Sequence, residues 1–186
     1  MRVIAGSLKG RRLKTPTWDG LRPTSDKLRE TLFNILAPRV AGARVIDAYA
    51  GTGAVGIEAL SRGAAWVSFI EDDRRAQALI AENLALCGIG NVYAIIRATV
   101  ARAFDILHDR RACEPFDIVL LDPPYASQHG DDLEPILTAA GPLLAPGGVL
   151  VIERARRRQT PEAAGRLRRT REVSSGDSAL SWYEGR

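Results

Sequence analysis

Asp122-Pro123-Pro124-Tyr125 follows directly on Phe116-Asp117-Ile118-Val119-Leu120-Leu121, an apolar run with the length of a buried strand. Two prolines cannot continue a hydrogen-bonded ladder, so the strand must end there. They also stiffen the segment and hold its carbonyls in fixed directions. Asp122 and those carbonyls are acceptors, and Tyr125 offers a face on which a planar ring can stack. Together they suit an NH₂ group on a base. A strand-ending Pro-Pro turn capped by Asp122 is the plainer alternative, and the tetrapeptide alone does not separate the two.

A second constellation lies upstream. Asp47-Ala48-Tyr49-Ala50-Gly51-Thr52-Gly53-Ala54-Val55-Gly56 joins an apolar strand to a helix. Gly51, Gly53 and Gly56 have the spacing that lets a backbone turn tightly and approach a ligand at a helix N-terminus. Glu71, with Asp72 beside it, ends the next strand twenty positions after Gly51, where an acid can accept from ribose hydroxyls. The glycines alone fit NAD as well as an adenosine-bearing sulfonium. Asp47, at the strand end, would meet an amino group and repel a pyrophosphate. The chain lacks the length for a dehydrogenase's substrate domain, and a nicotinamide enzyme has no use for the amine acceptor at Asp122. S-adenosyl-L-methionine accounts for all three features.

Both motifs need strands that end on one side of a sheet. Arg2 to Leu13 has two short apolar stretches split by Gly and Ser, and reads as a small hairpin or ribbon. Leu21-Arg22-Pro23-Thr24 is a loop. Thr24 or Ser25 caps a helix with Leu28, Leu32, Phe33, Ile35 and Leu36 on one face, ended by Pro38 and Gly42. From Val45 onward strand and helix alternate: strands over 45–48, 66–71, 92–97 and 116–121, helices over 54–62, 73–87, 100–108 and 131–144. Pro146-Gly147-Gly148 turns the chain into a strand over 149–153, and 167–173 with 179–183 form a closing hairpin. The pattern predicts an α/β fold, a doubly wound, mostly parallel sheet with an antiparallel C-terminal hairpin. It divides the chain into an N-terminal ribbon and helix over 1–40 and a ligand-binding domain over 41–186. Since the alternation starts at Val45, the cofactor loop is expected to survive removal of residues 1–20.

At 186 residues and 46% hydrophobic, the chain can bury one core but not two of ordinary size. No apolar run approaches membrane length, so a cytoplasmic protein without a membrane partner is expected. Cys87 and Cys113 lack metal-ligand spacing, and with only His108 and His129 no metal site is expected. The net charge of +4 conceals a division: +7 over residues 1–44, −8 over 45–153 and +5 over 154–186. Basic flanks around an acidic middle fit a polyanion contacted by the ends of the chain.

These motifs also carry a resemblance. Asp47 to Gly53 resembles the first motif of class I methyltransferases, whose fold is Rossmann-like. Asp122 to Tyr125 resembles the motif of their amino-methylating members, and Leu144-Ala145-Pro146-Gly147-Gly148 the turn before their fifth strand. Arg2 to Leu13, Arg22-Pro23-Thr24, Arg29-Glu30-Thr31-Leu32-Phe33-Asn34-Ile35-Leu36 and Gly176-Asp177-Ser178-Ala179-Leu180 are similar to a narrower family. That family is the bacterial 16S ribosomal-RNA guanine-N2 methyltransferases of the RsmD type, which modify guanine 966. The resemblance implies catalysis by Asp122, Pro123, Pro124 and Tyr125. It implies S-adenosylmethionine held by Asp47, Ala48, Gly51, Thr52, Gly53, Glu71, Asp72, Thr99 and Asp122. It further implies RNA contacts from Arg11, Arg12, Lys14, Arg22 and Thr24, with 16S ribosomal RNA or the small ribosomal subunit as partner and a monomeric chain. One departure stands out: the third core strand ends in Arg97-Ala98-Thr99-Val100, without the acid that commonly contacts the adenine amine, so the Thr99 hydroxyl or backbone takes that place. An adenine-N6 methyltransferase acting on DNA is the nearest rival, disfavoured by the basic N-terminal ribbon and the lack of a target-recognition domain. A non-catalytic RNA-binding module would have a broken glycine loop or no Asp122, and neither is seen.

Overall fold

The computed structural model describes residues 1–18, 26–109, 114–123 and 133–185. The alternating segments form β1 (Arg44–Ala48), α2 (Ala54–Ser61), β2 (Trp66–Glu71), α3 (Arg74–Leu86), β3 (Tyr93–Arg97), α4 (Val100–Asp109) and β4 (Phe116–Leu121). They are preceded by α1 (Asp26–Val40) and followed by α5 (Glu134–Ala140), β5 (Leu144–Ala155), β6 (Ala163–Ala164), β7 (Leu167–Ser175) and β8 (Ser178–Gly185). One eight-stranded sheet results, in the order β3-β2-β1-β4-β5-β8-β7-β6. The first five strands are parallel, and β8, β7 and β6 add antiparallel. Strands β1 and β4 are neighbours although β2 and β3 intervene in the chain, which makes their boundary the switch point of the sheet.

Near-continuous apolar burial in β1, β2, β4 and β5 follows from helices on both faces. One face packs Val45, Val67, Phe69, Ile118, Leu120 and Val151 against α1, α2 and α3. The other packs Ile46, Ile70, Val119, Leu121 and Ile152 against α4 and α5. Gly56 marks how closely α2 lies on the sheet, since a Cβ there would come within 2.3 Å of the Phe69 ring.

Three local expectations change. Helix α1 runs through Pro38 to Val40, because Val40 continues the buried stripe of Leu32, Phe33 and Leu36 and the proline lies on the exposed side. The segment Pro146-Gly147-Gly148 is a bulge inside β5 instead of a turn before it: Phe116 pairs with Leu144 and Ile118 with Val149, with Gly147 at φ 77° absorbing the extra length. Helix α5 is shorter than expected and gives way to a 3-10 turn over Gly141–Leu143, where Pro142 removes a donor.

The N-terminal segment corrects the largest expectation. Arg2 and Arg12 bridge antiparallel, with Val3 N–H donating to the Arg11 carbonyl and Gly10 N–H to the Val3 carbonyl at 2.9 Å each, so the expected small ribbon forms, but as a strap docked on the core. Val3 and Leu13 are buried in the core beside α1. The Ile4 and Ala5 N–H groups donate to the Glu58 carboxylate at 2.7 and 3.0 Å, and Lys14 N–H donates to Asn83 Oδ1 at 2.7 Å. Gly6, at φ 82°, passes so close to α2 that a Cβ would overlap the Ser61 carbonyl. Removing residues 1–14 would strip two donors from the fully buried Glu58 and delete two core side chains, Val3 and Leu13. At about 1.5–3 kcal/mol for each charged hydrogen bond and each apolar side chain, the loss rivals a typical domain's whole stability. We expect the truncated chain to melt more than ten degrees lower, or without a cooperative transition, in calorimetry. An unchanged midpoint would show that the strap is dispensable to the core.

Candidate active site

Parallel pairing places the ends of β1 and β4 side by side: Asp47 opposite Leu120, Ala48 opposite Leu121. The next residue, Asp122, donates its N–H to the Ala48 carbonyl at 3.4 Å, so the chain after β4 leaves the sheet beside the glycine loop. Asp47 is buried, and the only hydrogen bond of its carboxylate among the described residues is the one Oδ2 accepts from Gly56 N–H at 2.8 Å. Burial pushes the Asp47 carboxyl up to about 8; the Gly56 N–H opposes the shift, and the nearby Asp122 and Glu71 carboxylates reinforce it. A cation brought to this spot would favour the ionised form of Asp47.

The loop between β1 and α2 is built for close approach. Tyr49, Gly51 and Gly53 have φ of 63°, 55° and 75°. Gly53 starts α2 with no side-chain cap of its own, and the Asp47 carboxylate takes the Gly56 N–H in the first turn. Tyr49 is the one non-glycine residue with positive φ among the described residues, a conformation that L side chains adopt only under local constraint. Thr52 is buried, with its carbonyl accepting from Asn83 Nδ2 at 3.0 Å. Glu71, at the end of β2, reaches across to accept from Gly51 N–H at 2.8 Å and from the Asp72 and Asp73 N–H groups at 2.9 Å each. Burial raises the Glu71 carboxyl, and these three N–H groups pull it back. The acid thus holds the loop and stands at its rim. Asp72 is exposed next to it. Thr99 lies at the end of β3, exposed, with Oγ1 accepting from Arg102 N–H at 3.4 Å as the start of α4.

The structure adds a carboxylate that the motifs did not single out. Glu153, near the end of β5, lines a pocket with Asp47 and Asp122. Leu28 and Leu32 of α1, Val55, Val151 and Leu180 close it with apolar groups. The signal was a pattern of position: acids at the carboxyl ends of three adjacent strands, β1, β4 and β5. Pro123 is buried beside Asp122. Pro124, Tyr125, Arg22 and Thr24 lie outside the described residues. Arg11, Arg12 and Lys14 are exposed on the strap, where Lys14 pairs with Glu82 at 2.9 Å. Among the described residues there is no metal-ligand cluster and no helix long and apolar enough to cross a membrane.

The family model described as Conserved hypothetical protein 95 matches residues 1–184. The chain belongs to this family, that of the RsmD-type methyltransferases. It is 36% identical to YlbH of Bacillus subtilis, provisionally named an rRNA methyltransferase, over the whole of both chains. It is 43% identical to the Escherichia coli protein named ribosomal RNA small subunit methyltransferase D, over 67% of this chain and 60% of that protein. The matched stretch therefore spans less than two thirds of the latter's length. Among solved structures, an Escherichia coli protein provisionally named the methyltransferase yhhF superposes with a TM-score of 0.78 at 34% identity, covering 100% of this chain and 97% of that one. The family match accounts for the strap and α1 as well as the glycine loop, since it begins at residue 1.

Proposed function

We propose that this chain methylates the exocyclic N2 amine of a guanine in 16S ribosomal RNA, guanine 966 by its family resemblance, using S-adenosylmethionine. Relatives named as small-subunit rRNA methyltransferases support the substrate class. The observation that carries the reading is the meeting of Asp47, Asp122 and Glu153 in one apolar-walled pocket at the switch point. Two acceptors beside a bound nucleobase suit guanine, whose Watson–Crick edge offers N1–H and N2–H donors side by side. Adenine would present the acceptor N1 there and be repelled.

When bound, S-adenosylmethionine supplies an electrophilic methyl group on a sulfonium. The residues present fit it: among the described residues no cation pairs with the buried Asp47 carboxyl, and Glu71 stands at the glycine loop as an acceptor for ribose hydroxyls. Asp122 and the Pro123 carbonyl accept the two amine hydrogens, which favours a tetrahedral nitrogen with its lone pair free to attack. Tyr125 stacks on the base once it leaves the RNA structure. Holding both reactants in line can supply about 7–11 kcal/mol, so Asp122 need not be a strong base. Residues 1–40 serve RNA docking through Arg11, Arg12, Lys14, Arg22 and Thr24, and 41–186 hold the cofactor and the chemistry, even though the two parts share one core.

Incubating the protein with small ribosomal subunits, deproteinised 16S RNA and duplex DNA, each followed by nucleoside analysis, tests the reading. N2-methylguanosine from a ribosomal substrate is expected, and N6-methyladenosine from DNA would overturn it. Glu71→Ala should weaken S-adenosylmethionine by about 1–3 kcal/mol, through the lost ribose contacts and the loosened loop. Unchanged affinity in calorimetry would place the ribose elsewhere.

A further inference from the structure

Arg154 follows Glu153 on β5 and points to the opposite face of the sheet, where it is 7% exposed. Its guanidinium binds on every side. Nε donates to Ser181 Oγ at 3.1 Å, and Nη2 pairs with Glu172. Nη1 is directed at three carbonyls, those of Ala155 at 3.3 Å, Arg156 at 3.1 Å and Arg158. Arg156 N–H donates to the Asp177 carbonyl at 2.7 Å in the β7–β8 turn, and Arg158 N–H to the Ala155 carbonyl at 2.9 Å. Three carbonyls gathered on one cation fix the backbone of the turn, on which Arg158 is half-buried. Arg156 and Arg157 are exposed, and their side chains pair with nothing among the described residues.

Six other arginines are placed differently. Arg29, Arg39, Arg44, Arg62, Arg75 and Arg169 each meet a carboxylate. Glu172 is bound by Arg154 and Arg169, and the exposed Asp177, whose carbonyl meets the Arg156 N–H, is the acid beside the turn. Position matters as much as charge. Leu121 pairs with Ile152, so Asp122 and Glu153 are neighbours, and the turn begins three residues beyond Glu153. At about 3.3 Å per residue, it stands roughly 10 Å past the pocket. That puts two exposed guanidinium groups within reach of the strand flanking a nucleotide drawn into it.

We propose that the turn 156–158 is a phosphate clamp for the RNA strand flanking the target nucleotide, with Arg154 as the residue that positions it. The inference rests on the RNA-methylating function proposed above. It explains a built turn where a solvated arginine run would need no buried guanidinium beneath it. The test is RNA affinity across a salt series for the wild type, Arg156→Gln/Arg157→Gln and Arg154→Met, with S-adenosylmethionine affinity measured on the same samples. The double variant should flatten the slope of log affinity against log salt by about 1.4–1.8, two phosphate contacts at 0.7–0.9 each. Its KM for RNA should rise at least tenfold while cofactor affinity stays within twofold. Arg154→Met should flatten the slope too and speed amide exchange at Arg156 and Arg158, an effect that mere charge loss would not produce. An unchanged slope in the double variant would overturn the clamp. The slopes come from binding alone, so they decide the clamp even if the wild type fails to methylate RNA, a failure that would count against the proposed function instead.

Discussion

Asp122→Ala is expected to cut kcat for methyl transfer by at least about a thousandfold, some 4 kcal/mol of barrier, while leaving much of the S-adenosylmethionine affinity. The exocyclic amine of guanine is a poor nucleophile because its lone pair is delocalised into the ring. Asp122 lies at the end of β4, against the Ala48 carbonyl at the switch point, and lines the same pocket as Asp47 and Glu153. From there it accepts from the amine most strongly when the nitrogen turns tetrahedral, so its loss falls on kcat more than on KM. Asp122→Asn sharpens the test. It keeps one acceptor oxygen and nearly the same volume, yet an amide N–H set against the reacting amine is repulsive. Single-turnover kinetics with saturating RNA should show both variants slow in the chemical step. Near wild-type turnover in either would end the role given to this carboxylate.

Much of this site was legible because its chemistry and its place coincide in the chain. Asp47, the glycines, Glu71 and Asp122 each follow an apolar run, so a strand end and a functional group announce each other. Glu153 follows an apolar run too, but it is succeeded by Arg154 and the arginine run, and reads as the first solvated residue of a loop. Only the pairing of β5 beside β4 shows that it faces the pocket. The strap was misjudged for a related reason. Its partners Glu58, Ser61 and Asn83 lie 53 to 69 positions away and look like exposed helix positions, while Val3 and Leu13 are lone apolar residues in a basic stretch. Long-range polar docking leaves no local period to read. Strand β6, two residues long, is too short to show one, and the bulge at Gly147 keeps the composition of a turn.

Asp47→Asn should make the free protein more stable and the cofactor weaker, with opposite dependences on pH. In the fold the carboxyl is held near 8, against 3.8 as its ordinary value. Between those limits the folded chain keeps a proton that the unfolded chain has released, so stability falls as pH rises through the window and levels off above about 8. The full shift corresponds to roughly 6 kcal/mol as an upper bound. Asparagine keeps an oxygen for the Gly56 N–H and carries no charge, so its thermal advantage over the wild type should be absent near pH 4 and grow toward pH 8. A bound cation reverses the preference at the same carboxyl by favouring its ionised form. Wild-type affinity for S-adenosylmethionine should therefore tighten by about tenfold per pH unit below 8 and then flatten, with one proton released on binding. The α-amine of the ligand titrates at about 7.7–8.0, and losing its charge there works against binding. The difference between wild type and Asp47→Asn cancels that contribution and isolates the carboxyl. Calorimetry in buffers of different ionisation enthalpy counts the released proton directly. A wild-type affinity that tracks the asparagine variant at every pH would mean that Asp47 meets no cation, and the glycine loop would have to be read again as a site for a different ligand.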